Sequence, residues 1–165
     1  MSPSETTFYN STLNRYLDFD ELVSELVKYI QEKPRADYRI TVGTDSAADK
    51  EAQFVTAITI LRAGNGGRYF WTRSEKIFCP SLRDRVYKET MRSIVFTQEL
   101  RSRLKERIGE ESFWDDKITI HLDVGKNGPT KDLIEAVVGM VRGYGFEPVI
   151  KPSSFGAFVV ADRHT

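Results

Sequence analysis

The chain has 165 residues and a formal net charge of zero, and 40% of its residues are hydrophobic, which is ordinary for a globular domain. One cysteine and two histidines exclude a disulfide framework and a zinc cluster of cysteines and histidines, and no apolar run approaches the roughly 20 residues that span a bilayer. Because residues 1–5 also lack the pattern of a secretory signal, we expect a cytoplasmic protein with one domain over residues 1–165 and no membrane partner.

The chain is predicted to begin with an arm and a helix. Residues 1–17 are polar and aromatic without periodicity, and we expect them to form an extended N-terminal arm. Asp18 and Glu21 have the spacing of a capping box, and apolar residues follow at helical intervals until Pro34. Residues 18–33 are therefore predicted to form a helix.

Three strands are predicted next, over residues 38–45, 54–61 and 68–78, where β-branched and aromatic residues are frequent. The run Gly64-Asn65-Gly66-Gly67 lies between the second strand and the third and is typical of a hairpin. Consecutive strands with such short connections favour an antiparallel meander.

Helices and strands alternate in the second half of the chain, where Ser81 and Asp84 can cap a long helix. The first helix runs to about residue 108 and is followed by a strand over 117–124. A second helix starts at residues 128–130, and a strand over 146–151 follows it. The last element is a helix or strand that ends at Asp162. A meander followed by two helical crossovers predicts an α/β fold, with a mixed sheet that helices cover on both faces. Because crossovers are nearly always right-handed, the fourth strand is expected beside the first and parallel to it.

Three aspartates stand where an apolar segment stops, namely Asp45, Asp123 and Asp162. Carboxylates at such places are costly to desolvate, and a group of three would repel one another unless cations lay between them. Parallel pairing of the first and fourth strands puts Asp45 beside Asp123 at the carboxyl ends of the strands, where open α/β sheets bind ligands. The pattern predicts a divalent-metal site, and the alternative is a set of turn aspartates that cap strand ends.

Glu89 is a further candidate carboxylate, on the long helix. It falls on a mostly apolar stripe of that helix, but a second apolar face leaves the orientation of the helix open. A salt-bridged surface glutamate is the alternative interpretation, and Asp84 is the alternative site carboxylate.

Positive charge is concentrated in the middle of the chain. Residues 62–107 contain 12 Lys and Arg against 5 Asp and Glu, whereas residues 1–61 contain 6 against 10 and residues 108–165 contain 6 against 9. This asymmetry indicates a surface that faces a polyanion, although a solvated helix face has the same composition. The candidate nucleic-acid contacts on the helix are Arg83, Arg85, Lys88 and Arg92.

Lys126 and Asn127 extend the candidate contacts beyond the helix, because they follow Asp123 closely. Their loop does not have the spacing of a P-loop, and Pro129 removes an amide donor. The free amides at the start of the next helix can still meet a phosphate.

Several segments of the chain together resemble the ribonuclease H-like superfamily and, more narrowly, the bacterial family of predicted ribonuclease H-like nucleases typified by YkuK. The matching segments are Val42-Gly43-Thr44-Asp45-Ser46, His121-Leu122-Asp123-Val124-Gly125 with Asn127-Gly128, and Lys151-Pro152 with Ala161-Asp162 and Thr165. The resemblance covers nearly the whole chain, and the combination of segments is specific to the family.

The resemblance implies a fold and a chemistry. The superfamily has a five-stranded sheet in the order 3-2-1-4-5 and four carboxylates, at positions occupied here by Asp45, Glu89, Asp123 and Asp162. It implies two-metal hydrolysis of phosphodiester bonds with two Mg²⁺ or Mn²⁺ ions. Asp45 would bind both ions, Glu89 and Asp123 would complete the ligands of one ion, and Asp162 would complete the ligands of the other. The arginines would contact the backbone of RNA or of an RNA–DNA hybrid.

Two other functions are compatible with this fold. One is a non-catalytic module that binds nucleic acid or ribonucleoprotein, since a fold does not determine an activity. The other is ATP binding as in sugar kinases and actin-like proteins, which need two such domains where this chain has one. The oligomeric state is left open.

Overall fold

A computed structural model describes residues 2–109 and 117–152 of the chain. Asp162, and the last helix or strand predicted to end there, lie outside the described residues. Single 3-10 turns at Pro3–Glu5 and Lys131–Leu133 accompany the regular elements. The regular elements are β1 (Phe8–Asn10), β2 (Arg15–Leu17), α1 (Phe19–Glu32), β3 (Tyr38–Ser46), β4 (Glu51–Arg62), β5 (Gly67–Phe78), α2 (Leu82–Ile108), β6 (Ile118–Gly125), α3 (Ile134–Gly143) and β7 (Glu147–Lys151).

All the described strands belong to one sheet, in the order β2-β1-β5-β4-β3-β6-β7. Strands β3, β4 and β5 form the predicted antiparallel meander. Strand β6 pairs in parallel with β3, and β7 pairs in parallel with β6. The order β5-β4-β3-β6-β7 is the 3-2-1-4-5 order that the resemblance implied.

The prediction of five strands is wrong, because the sheet has seven. The segment predicted as an extended arm forms the hairpin β1–β2, which joins β5 where Tyr9 pairs with Trp71. Phe8 and Leu17 are fully buried by this arrangement. Strands of three residues are too short to show a periodicity in the sequence.

Local signals place α1 and α2 as expected, whereas α3 begins at Ile134 after a 3-10 turn and not at residues 128–130. The side chain of Asp18 accepts a hydrogen bond from the amide of Glu21, and the Glu21 side chain accepts one from the amide of Asp18, which completes the capping box of α1. Ser81 Oγ accepts a hydrogen bond from the amide of Asp84 at the start of α2. These caps satisfy amides that have no partner within a helix.

The described helices all lie on one face of the sheet, although crossovers were expected to cover both. Ile40 and Val42 pack with α1 in one apolar cluster, and their registered partners Ile118 and Ile120 must face the same side. Ile120 packs with α3 in a second cluster, so α3 shares that side with α1. The physical reason is that the crossovers through α2 and α3 step across the sheet in the same direction, and right-handed connections then place both helices on the same face.

Aromatic packing fixes α2 on the sheet. The ring of Phe96, fully buried, lies 5.2 Å from that of Phe8 and 6.3 Å from that of Phe19, between ring centres. Burying each such ring contributes about 1.5–3 kcal/mol. The first half of α2 is thereby held over the carboxyl ends of β3 and β6.

No helix in the described ranges is long and apolar enough to cross a membrane.

Candidate active site

Asp45 and Asp123 occupy equivalent positions on neighbouring parallel strands. Residue Ile40 pairs with Ile118 and Gly43 with His121, so the same register carried two residues further places Asp45 beside Asp123. Neighbouring strands are about 5 Å apart, and residues two apart share a face. This extension places the two aspartates side by side at the carboxyl edge of the sheet. Asp45 is buried and Asp123 half-buried.

Glu89 approaches this edge from α2. Its Oε1 accepts a hydrogen bond of 2.6 Å from Ser46 Oγ, next to Asp45. Glu89 and Asp123 also line the same small cavity between α2 and β6. Asp84, the alternative carboxylate, instead forms an ion pair with Lys88. The structure thus brings Glu89, and not Asp84, to the two aspartates.

Electrostatics confirm that the three acids interact. The pKa of Glu89 is raised from 4.5 to about 8, first because the side chain is buried and then because the charges of Asp45 and Asp123 oppose its ionisation. The Ser46 hydrogen bond and the Arg85 guanidinium act in the opposite direction but do not prevail. In the absence of a cation, Glu89 therefore holds a proton at neutral pH.

Hydroxyl groups join α2 to the sheet beside Glu89. Thr44 Oγ1 lies 2.8 Å from Ser93 Oγ, one helical turn beyond Glu89, and 3.0 Å from Thr56 Oγ1 on β4. With Ser46, Thr44 connects β3 to α2 at two successive turns of the helix. Sequence analysis did not assign Thr44 or Ser93 a role, although a serine four residues after the glutamate lies on the same helix face.

Lys151 is a further residue at this site that was not predicted from the sequence. Its ammonium forms an ion pair with Asp123 Oδ1. Lys151 is the last residue of β7, which is parallel to β6. Its place at the end of a parallel strand is the feature of the sequence that could have predicted its position at the carboxyl edge of the sheet. An open groove beside this pair is lined by Gly125, Lys126, Asn127, Ile150, Lys151 and Pro152.

The donor chemistry of the three acids suits a hard divalent cation. Carboxylate oxygens are preferred ligands of Mg²⁺ and Mn²⁺. A cation would offset both the burial of the Glu89 carboxyl and the charges of Asp45 and Asp123, which together raise its pKa. Within residues 2–109 and 117–152, however, no three acidic, histidine or cysteine side chains are already arranged as a set of ligands. The residues fit the ions in chemistry and charge, and metal binding would require their side chains to rearrange.

The predicted nucleic-acid contacts divide into accessible and occupied side chains. Arg83 is exposed and Arg85 half-buried on the first turns of α2, and Lys126 and Asn127 are exposed in the loop after β6. Lys88 instead donates to the carbonyl oxygen of Phe78 at 2.7 Å and to Asp84. The accessible side chains, those of Arg83, Arg85, Lys126 and Asn127, therefore flank the carboxylates with groups that can bind a phosphate.

Other cations of the basic region have structural roles. The Arg92 guanidinium is half-buried 5.5 Å from the centre of the Phe54 ring, and burial lowers its pKa. Arg62 is buried and donates to the carbonyl oxygen of Tyr29 at 2.7 Å. Arg103 forms ion pairs with side chains of α1 and α2. Part of the positive excess in residues 62–107 thus stabilises the fold.

Comparisons with known proteins agree with this architecture. A family model described as ribonuclease H-like matches residues 21–165. An uncharacterised protein of Bacillus subtilis (strain 168), YkuK, is 31% identical over 173 residues, and the match covers 96% of this chain and 96% of the relative. No solved structure matches the chain.

Proposed function

Because this chain belongs to the ribonuclease H-like family, in the group that includes YkuK, we propose that it is a metal-dependent nuclease that hydrolyses phosphodiester bonds. The observation that supports this proposal most directly is the convergence of Asp45, Glu89 and Asp123 from two parallel strands and a helix. Asp162 is proposed as a fourth ligand from the sequence resemblance and lies outside the described residues.

Asp45, Glu89 and Asp123 would supply carboxylate ligands to two Mg²⁺ or Mn²⁺ ions. When bound, such ions activate a water nucleophile and stabilise the charge on the leaving 3′-oxygen. Glu89 would release its proton as cations bind, because ligands must be deprotonated. The hydroxyl of Ser46 would hold Glu89 Oε1 in place.

The substrate is proposed to be RNA or an RNA–DNA hybrid. Arg83 and Arg85 on one side of the carboxylates, and Lys126 and Asn127 on the other, offer donors to backbone phosphates. Contacts of this kind position a nucleic acid without reading its sequence. We therefore expect cleavage with little dependence on base sequence.

The proposal is tested by incubating structured RNA, an RNA–DNA hybrid and duplex DNA with the protein and Mn²⁺. Asp45→Asn should abolish cleavage while nucleic-acid binding persists, because the basic residues belong to other elements. Asp49→Asn, a change at an exposed aspartate in the loop after β3, is the matched control and should cut normally. The products should have 5′-phosphate and 3′-hydroxyl ends, since water is the nucleophile. Cleavage that persists in Asp45→Asn would identify a contaminating nuclease.

A second candidate function is a non-catalytic module that binds nucleic acid or ribonucleoprotein. It is favoured by the absence of a ready set of metal ligands among the described residues and by the ammonium of Lys151 at Asp123. Nucleic-acid binding without cleavage, in protein shown to bind Mn²⁺, would select this function over the nuclease.

A further inference from the structure

Lys151 approaches Asp123 because of the register between β6 and β7. The strands pair in parallel from Thr119 with Glu147 to His121 with Val149, and the register then shifts so that Gly125 lies beside Lys151. The shift places Lys151 two residues beyond Asp123 along β6, and the lysine side chain reaches back to Asp123 Oδ1. Lys151 thus meets the proposed metal ligand from outside the carboxylate cluster.

Gly125 makes this approach possible. A Cβ atom at position 125 would lie 3.1 Å from Cβ of Lys151 and 3.8 Å from its Cδ, which is closer than most side-chain contacts allow. The aliphatic stem of Lys151 therefore lies across bare backbone. This packing restricts where the ammonium can go, and 46% of the Lys151 side chain and 21% of the Asp123 side chain remain exposed.

We propose that Lys151 is a positioning residue whose ammonium occupies the cation position at Asp123 while the protein is free of metal. This inference rests on the proposed metal-dependent function. Asp45, Glu89 and Asp123 bring acid groups together, and a fixed ammonium supplies part of the compensating charge in the folded, metal-free protein. A divalent ion that binds Asp123 must displace this ammonium.

Competition of this kind has a measurable consequence for metal affinity. Removing the ammonium eliminates a competitor for Asp123 and a positive charge that repels the incoming ion. Because the pair is partly exposed, we expect the Kd for Mn²⁺ to fall roughly two- to fivefold. The same change should lower the melting temperature of the metal-free protein, since the carboxylates lose their compensation, and Mn²⁺ should restore it.

The experiment is calorimetric titration of Mn²⁺ into the full-length protein and the variants Lys151→Met, Lys151→Arg and Lys131→Met. Methionine keeps the aliphatic stem and removes the charge, arginine keeps the charge, and Lys131 is an exposed lysine outside β6 and β7. The expected result is tighter binding by Lys151→Met alone. Melting curves with EDTA and with Mn²⁺ give a second readout on the same proteins.

Three results would overturn the proposal. Equal or weaker binding of Mn²⁺ by Lys151→Met would show that the ammonium does not compete with the ion, while leaving the metal site and the proposed function intact. Tighter binding by Lys151→Arg as well would show that side-chain shape matters and charge does not. No binding of Mn²⁺ to the unmodified protein would remove the metal site, and the proposed function would fail with it.

Discussion

The protonation of Glu89 makes the stability of the metal-free protein depend on pH. The pKa of this carboxyl is 4.5 in its ordinary state and about 8 in the folded protein, so the folded state binds the proton more tightly. Stability from this group is fully present below pH 4.5 and is lost as the pH rises towards 8. Glu89→Gln removes this dependence and keeps an oxygen that can accept the Ser46 hydrogen bond.

The magnitude follows from the difference in pKa. Each pKa unit corresponds to about 1.4 kcal/mol. Relative to acidic pH, the raised pKa of Glu89 therefore lowers the free energy of unfolding by about 3 kcal/mol at pH 7 and by about 5 kcal/mol well above pH 8. Relative to Glu89→Gln, the unmodified protein should lose about 4 kcal/mol of unfolding free energy between pH 4.5 and 8. A loss of this size is a large fraction of the stability of a typical domain.

The assay is urea unfolding at a series of pH values from 5 to 9, with EDTA present. Glu106→Gln, at an exposed position on the same helix, is the control and should follow the unmodified protein. With saturating Mn²⁺ the unmodified protein should become less sensitive to pH, because the cation compensates the ionised carboxyl. Parallel profiles for the unmodified protein and Glu89→Gln in EDTA would refute the raised pKa of Glu89.

Three further predictions concern metal, capping and nucleic acid. Mn²⁺ at one hundred times its Kd should stabilise the protein by about 2.7 kcal/mol, measured by urea unfolding, and an unchanged midpoint would argue against a metal site. Asp18→Ala should cost about 1 kcal/mol because α1 loses its capping box, whereas a change in the urea midpoint near zero would mean that the cap contributes nothing. Arg83→Ala and Arg85→Ala should each weaken RNA binding and reduce its salt dependence. Lys88→Ala should weaken RNA binding less, because the Lys88 ammonium already donates to the carbonyl oxygen of Phe78 and to Asp84. Equal losses of RNA affinity for all three variants in a filter-binding titration would contradict the division into accessible and occupied side chains.

Several features of the site follow from local patterns in the sequence. The β-branched runs before Asp45 and Asp123 predict strands, and one right-handed crossover places those strands side by side. The register of β3 and β6 runs to Gly43 with His121, and its extension by two residues puts the two aspartates next to each other. The capping pair Asp18 and Glu21 likewise predicts the start of α1.

Other features depend on contacts between residues that are distant in the chain. The hairpin β1–β2 is too short to have a pattern of its own and becomes part of the sheet only by pairing with β5. The orientation of α2 was ambiguous because two of its faces are apolar, and the hydrogen bonds of Ser46 with Glu89 and of Thr44 with Ser93 resolve it.

Lys151 illustrates the same dependence at the level of a single ion pair. Its contact with Asp123 depends on the pairing of β7 with β6 and on the packing of the lysine stem against Gly125, and no local motif encodes that combination. Periodicity and capping act over a few residues, so they specify helices, strands and the edge where carboxylates collect. Which charges meet at that edge depends on strand register and close packing, because Coulomb interactions change steeply over a few ångströms.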